Sequence, residues 1–214
     1  ARNIETRTLS VSSLLSKYQL EHWELSSLTG FTYFDDVYDD YDSDYSTADA
    51  IIYSVPQRPQ AIWTQELKAV SRQLGKWEIT GGVFGFLENR DNNVQIYKYR
   101  ADAVAFDPRA PYRYTTVSDI KGKGIAVYGQ ATYALTDQWK LTAGLRYDYD
   151  ERKLVSHDEY EKSPDPAQVF PEQRIQTSAN AISPKLNLSY LVSEDFLAYA
   201  NYARGFRPGG VNPY

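Results

Sequence analysis

The sequence lacks cysteine, long hydrophobic runs and any excess of basic residues. Without cysteine no disulfide can form, so cysteine usage says nothing about the redox compartment. No run of 18 apolar residues occurs and the mean hydropathy is −0.56, which excludes a transmembrane helix. A transmembrane β-barrel remains compatible, because its lumen face and loops are polar. The net charge of −5 gives no reason to expect nucleic acid as a partner.

Methionine is also absent, even at position 1, and no signal peptide is recognisable. The chain begins in a strand-like stretch and ends in the turn-like Gly209-Gly210-Val211-Asn212-Pro213-Tyr214. We therefore expect an internal segment of a longer protein.

Catalytic motifs are lacking as well. No nucleotide-binding loop, zinc spacing or pair of catalytic carboxylates occurs. Ser156-His157-Asp158 has the residue types of a hydrolytic triad, but a working triad brings together side chains that are usually distant in sequence. We therefore predict no catalytic residue and a protein that is not an enzyme.

What is present in excess is tyrosine, with 19 residues against 8 phenylalanines. Tyrosine suits strands, membrane-interface belts and ligand-binding surfaces. Residues 141–150 alternate strictly, with Leu141, Leu145 and Tyr147 on one face and polar residues on the other. Similar patterns predict eight strands, in 7–17, 22–34, 61–71, 76–88, 124–135, 141–150, 185–192 and 196–206.

The connections between these strands alternate in length. Short turns lie near residues 18–21, 73–76, 136–138 and 193–195, whereas long loops are predicted at about 35–60, 89–116 and 152–180. Long structureless loops are uncommon in compact domains. Short periplasmic turns alternating with long extracellular loops are typical of bacterial outer-membrane barrels.

Aromatic spacing supports the same fold. Trp23, Trp77, Trp139 and Phe196 are each followed ten residues later by an apolar, usually aromatic, residue. Ten residues of strand tilted by about 40° rise about 25 Å, the height of the apolar band of an outer-membrane barrel. Trp23, Trp77 and Trp139 follow short turns, which predicts a membrane girdle at the periplasmic rim, and Trp63 is predicted at the other rim.

The fold class we predict is an all-β, antiparallel up-and-down transmembrane β-barrel, with the whole chain (1–214) as a segment of the barrel domain. Outer-membrane lipid would then contact one face of each strand. On strand number alone, a closed eight-stranded barrel is also possible. A soluble β-sandwich is the third possibility, and it would bury Leu141, Leu145, Leu186 and Leu188 between two sheets.

Candidate ligand contacts fall on the long loops and on the polar face. Exposed loop aromatics can stack on sugars or chelator rings, or pack on one another. Arg146, Arg204 and Arg207 could meet an anionic chelate, but buried charges need partners, and Asp148 or Glu66 would serve. The loop tyrosines concerned are Tyr38, Tyr41, Tyr45, Tyr97, Tyr99, Tyr112 and Tyr114.

Residues 35–49 are rich in aspartate, and Asp40, Asp42 and Asp44 have the opening spacing of a calcium-binding EF-hand loop. The match then fails, because Tyr45 and Ile51 stand where glycine and glutamate are needed. A solvated acidic loop is the main interpretation. Calcium in this extracellular loop is the second, and direct contact with a cationic or ferric ligand is the third. No other cofactor is predicted.

Four motifs resemble TonB-dependent outer-membrane receptors, in that family's order. Ala181–Tyr190 (AISPKLNLSY) is similar to the family's SPKLGLSY stretch, and Ala198–Asn212 is similar to its YASYSRGFRPGGFN. Leu141–Tyr147 (LTAGLRY) and Thr64–Lys68 (TQELK) resemble two further family strands.

The resemblance implies a barrel of about 22 strands closed by an N-terminal plug, of which this chain would supply about eight strands without the plug. It also implies the Gram-negative outer membrane as location, partnership with the TonB complex through the absent plug, and active uptake of a scarce, bulky nutrient, either an iron–siderophore chelate or a glycan. A passive porin or surface-binding barrel and an outer-membrane barrel enzyme are the alternatives.

Overall fold

The computed structural model describes residues 4–42, 51–72, 74–98, 112–160 and 171–212. Within these ranges it describes all side chains except those of residues 40–42, 51–53, 96–98, 112–114 and 160. In the described part of the chain, no helix is long and apolar enough to cross a membrane.

The described residues form a single antiparallel sheet of nine strands. Alternating apolar and polar residues, many of them β-branched or aromatic, account for this preference. The strands are β1 (Ile4–Gln19), β2 (Trp23–Asp42), β3 (Ile51–Gln57), β4 (Gln60–Ser71), β5 (Trp77–Lys98), β6 (Tyr112–Ala134), β7 (Trp139–Tyr160), β8 (Gln173–Ser193) and β9 (Phe196–Ala203).

Strands β3 and β4 share one position in the sheet, between β2 and β5. Strand β4 pairs with the first part of β2 and the corresponding part of β5, and β3 continues the same line beyond it. Pro56 and Pro59 lie at this interruption, where the register shifts. Proline has no N–H to donate to a ladder, which accounts for the break in the pairing. Nine strands thus occupy the eight positions that the alternation predicts.

The prediction of three long loops was wrong in extent. Strand β2 continues to Asp42, β5 continues to Lys98 and β7 continues to Tyr160. The strands that follow them, β3, β6 and β8, also begin inside the predicted loops, far from the short turns. The reason is that strand pairing does not end where the apolar pattern ends. Backbone hydrogen bonding to the neighbouring strands continues through residues whose side chains no longer separate into a polar and an apolar face.

The register separates the sheet into an apolar face and a polar face. Opposed residues share a face, so the row Trp77–Tyr133–Leu141–Leu188 and the row Val83–Val127–Tyr147–Ile182 lie on one side. The alternate residues of the same strands, such as Arg146 and Asp148 on β7, lie on the opposite side, and so does Glu66 on β4. We call the first side the apolar face and the second the polar face.

The leucines of the apolar face are exposed. Leu145 is 56% exposed, Leu186 is 49% and Leu188 is 38%. The described residues contain one sheet, with no second sheet packed against these side chains. The β-sandwich alternative is therefore excluded for this part of the chain.

Aromatic pairs lie on the apolar face close to the short turns. Trp77 packs on Tyr133 with ring centroids 4.6 Å apart, and Trp139 stacks on Tyr190 at 4.4 Å. Trp23 is the first residue of β2. Trp63 lies further along the face and packs on Phe31 at 4.5 Å. Whether these residues contact lipid headgroups stays a prediction.

Two glycines let aromatic rings lie against the polar face. A Cβ on Gly82 would stand 2.6 Å from Tyr128 Oη and 2.7 Å from the carbonyl oxygen of Leu67. A Cβ on Gly124 would overlap a ring carbon of Phe86. Glycine at these positions allows Tyr128 and Phe86 to cross a neighbouring strand.

Candidate functional site on the polar face

The polar face carries charged groups that are paired across several strands. Tyr128 on β6 passes over Gly82 of β5 and donates its hydroxyl to Glu66 on β4, at 2.6 Å. Arg146 on β7 holds Asp148 through contacts of 2.7 and 2.9 Å, and its guanidinium lies 6.0 Å from the centre of the Tyr128 ring. The glycine-backed ring of β6 thus links charges on two other strands, β4 and β7.

A second network lies further from the short turns. Arg152 on β7 pairs with Glu88 on β5 and reaches it across Gly122 of β6. The same guanidinium contacts Asp150 at 3.0 Å and lies 5.3 Å from the ring centre of Phe86. Glu88 and Asp150 are buried, so the arginine provides the positive charge that these carboxylates require.

A third group lies on β1 and β2, beyond the apolar band. Arg7 Nε is 3.3 Å from Asp36 Oδ1, and Tyr38 donates its hydroxyl to Asp36 Oδ2 at 2.9 Å. Burial acts to raise the pKa of Asp36. The hydrogen bonds from Arg7 and Tyr38 and the positive charges of Arg7 and Arg58 together outweigh burial and hold this pKa below its ordinary value. Asp36 is therefore an anion at neutral pH.

Arg58 connects this group to the centre of the sheet. Its Nε donates to Asn92 Oδ1 at 2.8 Å, and its guanidinium lies 5.8 Å from the centre of the Tyr38 ring. Arg90, on the same face of β5, has a buried Nε with no hydrogen-bond partner among the described residues. The far end of the polar face thus combines aromatic rings with guanidinium groups, a combination suited to planar anions.

The tyrosines predicted as ligand contacts lie in strands, and not on loops, wherever the structure describes them. Tyr38 and Tyr41 lie in β2, Tyr97 lies in β5, and Tyr112 and Tyr114 lie in β6, so placing them on loops was wrong, because the strands extend past the apolar band. Tyr45 and Tyr99 lie outside the described residues.

The arginines predicted as ligand contacts differ in their partners and in their position relative to the strands. Of the two alternatives for Arg146, the structure contains the ion pair with Asp148. Arg204 follows the last residue of β9, and its backbone N–H donates to the Pro184 carbonyl at 3.1 Å. The predicted strand 196–206 therefore ends three residues early, at Ala203. Contact of Arg204 with a ligand stays a prediction.

The calcium hypothesis remains untested. Asp40 and Asp42 belong to strand β2, so placing them on a loop was wrong, and Asp44 lies outside the described residues. No group of three or more metal-binding side chains occurs among the residues that were described.

Strand geometry separates the three side chains of the triad-like motif. Ser156, His157 and Asp158 lie in β7 and not on a loop, so their side chains alternate between faces. Ser156 exchanges a hydrogen bond with Ser118 at 2.9 Å on the polar face, and Thr116 donates to Asp158 at 2.7 Å there. His157 projects to the other side, so the three side chains do not converge.

The sequence reasoning missed the residues of the outer network. Arg90, Asn92 and Arg152 were assigned to loops, Glu88 was the last residue of a predicted strand and was given no role, and Asp36 was counted only among acidic loop residues. No alternating pattern marked these residues, because beyond residue 150 each face of β7 carries charged and apolar side chains together, such as Arg152 with Leu154 and Lys153 with Val155.

A family model described as "TonB dependent receptor-like, beta-barrel" matches residues 2–214. Among curated relatives, the pesticin receptor of Yersinia enterocolitica is 24% identical over 164 residues, which cover 76% of this chain and 22% of that protein. The pesticin receptor of Yersinia pestis gives the same identity and coverage. The chain thus spans about a fifth of the length of these relatives.

Solved structures share the fold. The ferric yersiniabactin uptake receptor FyuA from Yersinia pestis matches with a TM-score of 0.71 and 15% identity, over 92% of this chain and 28% of that one. The siderophore receptor PiuA from Acinetobacter baumannii matches with a TM-score of 0.66 and 12% identity, over 94% and 32%. At these identities the likeness concerns the fold alone.

Proposed function

The chain belongs to the TonB-dependent receptor β-barrel family, and from that premise we propose that it takes part in active uptake of a ferric chelate. The proposed location is the outer membrane of a Gram-negative bacterium. The proposed energy source is the TonB complex, acting through a plug domain outside this segment. The chain itself would supply eight adjacent strand positions of the barrel wall (residues 1–214).

The single observation that carries this proposal is the family match over residues 2–214. The two-faced sheet supports it, because a membrane barrel needs an apolar side toward lipid and a polar side toward water. The relatives are receptors by name, and several solved neighbours are named for iron chelates. A ferric chelate is therefore the substrate class we favour, and no observation favours a glycan.

The short turns give the proposed orientation. Outer-membrane barrels have short turns on the periplasmic side and longer segments outside. Arg90 and Asn92 are 13 and 15 residues from Trp77 at the start of β5, which corresponds to about 32–38 Å along a tilted strand. These residues would face the lumen at its extracellular mouth.

We propose that the ligand-facing surface of this segment consists of Tyr38, Arg58, Arg90 and Arg152. Siderophore chelates of iron carry carboxylate, catecholate or phenolate oxygens. Guanidinium groups bind such oxygens through paired N–H donors, and the ring of Tyr38 adds a stacking surface. Arg90 is the most direct candidate, because its buried Nε has no hydrogen-bond partner among the described residues.

Uptake of radioactive iron by cells that carry the full-length receptor tests the proposal. Cells lacking the receptor gene are compared with complemented cells across a panel of ferric catecholate, citrate and phenolate chelates. Receptor-dependent uptake of at least one chelate is expected, and it should cease when the proton-motive force is dissipated. Uptake that survives dissipation would favour a passive barrel, and absence of receptor-dependent uptake across the panel would contradict the proposed substrate class.

The role of Arg90 is tested by direct chelate binding to the purified receptor. Arg90→Gln should weaken binding about tenfold or more, because a charge-assisted contact contributes about 1.5–3 kcal/mol. Arg72→Gln is the matched control, since Arg72 pairs with Glu24 at the short-turn end, remote from this surface. Equal loss of affinity in both variants would contradict the assignment.

A further inference from the structure

Three lysines lie close together on the apolar face, in two successive rows of the sheet at the end of the apolar band. The register puts Leu87, Lys123 and Glu151 in one row of the sheet. The next row contains Asn89, Lys121 and Lys153. Nearer the short turns, the row Gly85–Ile125–Tyr149 carries no charge. Charge therefore begins abruptly on this face.

The position of these three lysines matches the edge of a membrane. Lys123 and Lys121 lie 10 and 12 residues from Tyr133, and Lys153 lies 14 residues from Trp139. These spacings correspond to about 25–35 Å along tilted strands, whereas the apolar band of such barrels is about 25 Å tall. In a membrane of that thickness, the lysine side chains would reach the headgroup layer of the outer leaflet.

The lysines are only partly neutralised by the protein. Lys121 Nζ is 3.1 Å from Asp119 Oδ2, while Lys123 and Lys153 share Glu151 at 3.6 and 3.3 Å. The lysine side chains stay 51–63% exposed, and Glu151 is 11% exposed. Three cations thus face two carboxylates, and Asp119 lies one row further from the membrane.

Two of the lysines also lie opposite each other in the sheet. Lys121 and Lys153 are opposed partners across β6 and β7, and like charges in that arrangement destabilise a sheet. An anion located between their ammonium groups would remove the repulsion. A charged group held at the membrane edge, with lipid tails beside the neighbouring apolar rows, has the chemistry of a lipid phosphate.

We propose that Lys121, Lys123 and Lys153 form a binding site for the phosphate of a phosphorylated lipid headgroup in the outer leaflet. The apolar rows below the site would contact the acyl chains of the same lipid. This inference rests on the proposed membrane insertion of the chain, but it concerns the outside of the barrel wall and not the ligand path.

Lipid retention by the purified full-length receptor tests the site. The receptor is equilibrated in nanodiscs of phosphatidylcholine that contain a small fraction of lipid A, either phosphorylated or dephosphorylated, and then extracted into neutral detergent. Mass spectrometry counts the lipids that remain bound. Phosphorylated lipid A should be retained at least about tenfold better than the dephosphorylated form, and added salt should reduce this preference. Equal retention of the two forms would overturn the proposal.

Variants locate the site. The triple variant K121Q/K123Q/K153Q should lose the preference, whereas K121R/K123R/K153R should keep it. K17Q/K76Q/K140Q makes the same change in formal charge at the short-turn end and should keep it as well. Loss of the preference in this control, or its persistence in the first triple variant, would contradict the assignment. Heat-modified gel mobility establishes that each variant is folded.

Inorganic phosphate distinguishes a lipid site from a free-anion site. Displacement of the lipid by an equal concentration of inorganic phosphate would overturn the assignment to a lipid headgroup, and retention supports it. Ferric chelate uptake in cells is measured separately. Uptake without lipid preference would contradict only this inference, and lipid preference without uptake would contradict only the proposed substrate.

Discussion

Arginine substitutions on the apolar face should carry a cost that depends on depth. Leu145 lies six residues after Trp139, which corresponds to about 15 Å from the short-turn end of a band about 25 Å tall. Leu188 lies five residues before Ser193, at about 12 Å by the same geometry. Arginine near the middle of a bilayer costs about 2–4 kcal/mol on the lipid side of a barrel, so Leu145→Arg and Leu188→Arg should each lose that much stability.

The matched controls differ in face or in depth. Asn187 neighbours Leu188 in β8 but lies on the polar face, so Asn187→Arg should cost at most about 1 kcal/mol, because lumen positions tolerate charge. Leu87 is exposed on the apolar face, ten residues after Trp77, at about 25 Å. Leu87→Arg should therefore also cost at most about 1 kcal/mol.

The assay is urea titration of the full-length barrel in phosphatidylcholine vesicles, with folding followed by gel mobility and tryptophan fluorescence. The expected order of destabilisation is Leu145→Arg and Leu188→Arg well above Leu87→Arg and Asn187→Arg. A cost for Asn187→Arg equal to that for Leu188→Arg would refute the assignment of faces. A cost for Leu87→Arg equal to that for Leu145→Arg would refute the depth scale.

Three further outcomes follow from contacts on the polar face. Gly82→Ala should destabilise the barrel by about 1–3 kcal/mol in the same titration, because the added methyl group meets a carbonyl oxygen, whereas Gly81→Ala has room and should cost less. A double-mutant cycle of Glu88→Gln and Arg152→Gln should give a coupling energy of about 0.5–3 kcal/mol, and a value near zero would show that the pair does not act together. Folding lowers the pKa of Asp36, so its ion pair stabilises the protein above the unfolded pKa, near 4, and this stabilisation is lost as the pH falls through the folded pKa. Asp36→Asn should therefore flatten the acid side of a plot of stability against pH. An unchanged slope would contradict this expectation.

The sequence was sufficient for the strands within the apolar band and for their order. Residues 141–150 and 185–192 alternate so regularly that their faces follow directly, and the register confirms that Leu141 and Leu188 share a row. The short turns were predicted to within two residues, because each interrupts an alternating pattern close to a tryptophan or phenylalanine.

Strand ends and side-chain partners could not be predicted in the same way. Beyond the band each face mixes polar and apolar residues, so hydropathy no longer marks the strand, while backbone pairing continues to Lys98 and Tyr160. The pairing of Glu88 with Arg152 joins residues 64 positions apart across an intervening strand. Only the register and the glycine at position 122 bring them together.

Accessibility of spin labels along β7 tests the central claim most directly. Single labels at residues 141–150 of the full-length receptor in vesicles are exposed in turn to oxygen, which enters lipid, and to a water-soluble nickel chelate. The account predicts an alternation with a period of two residues. Labels at Leu141, Leu145 and Tyr147 should respond to oxygen, and labels at Thr142, Arg146 and Asp148 should respond to the nickel chelate. Equal accessibility to both reagents at every position, or a reversal of the two faces, would contradict it.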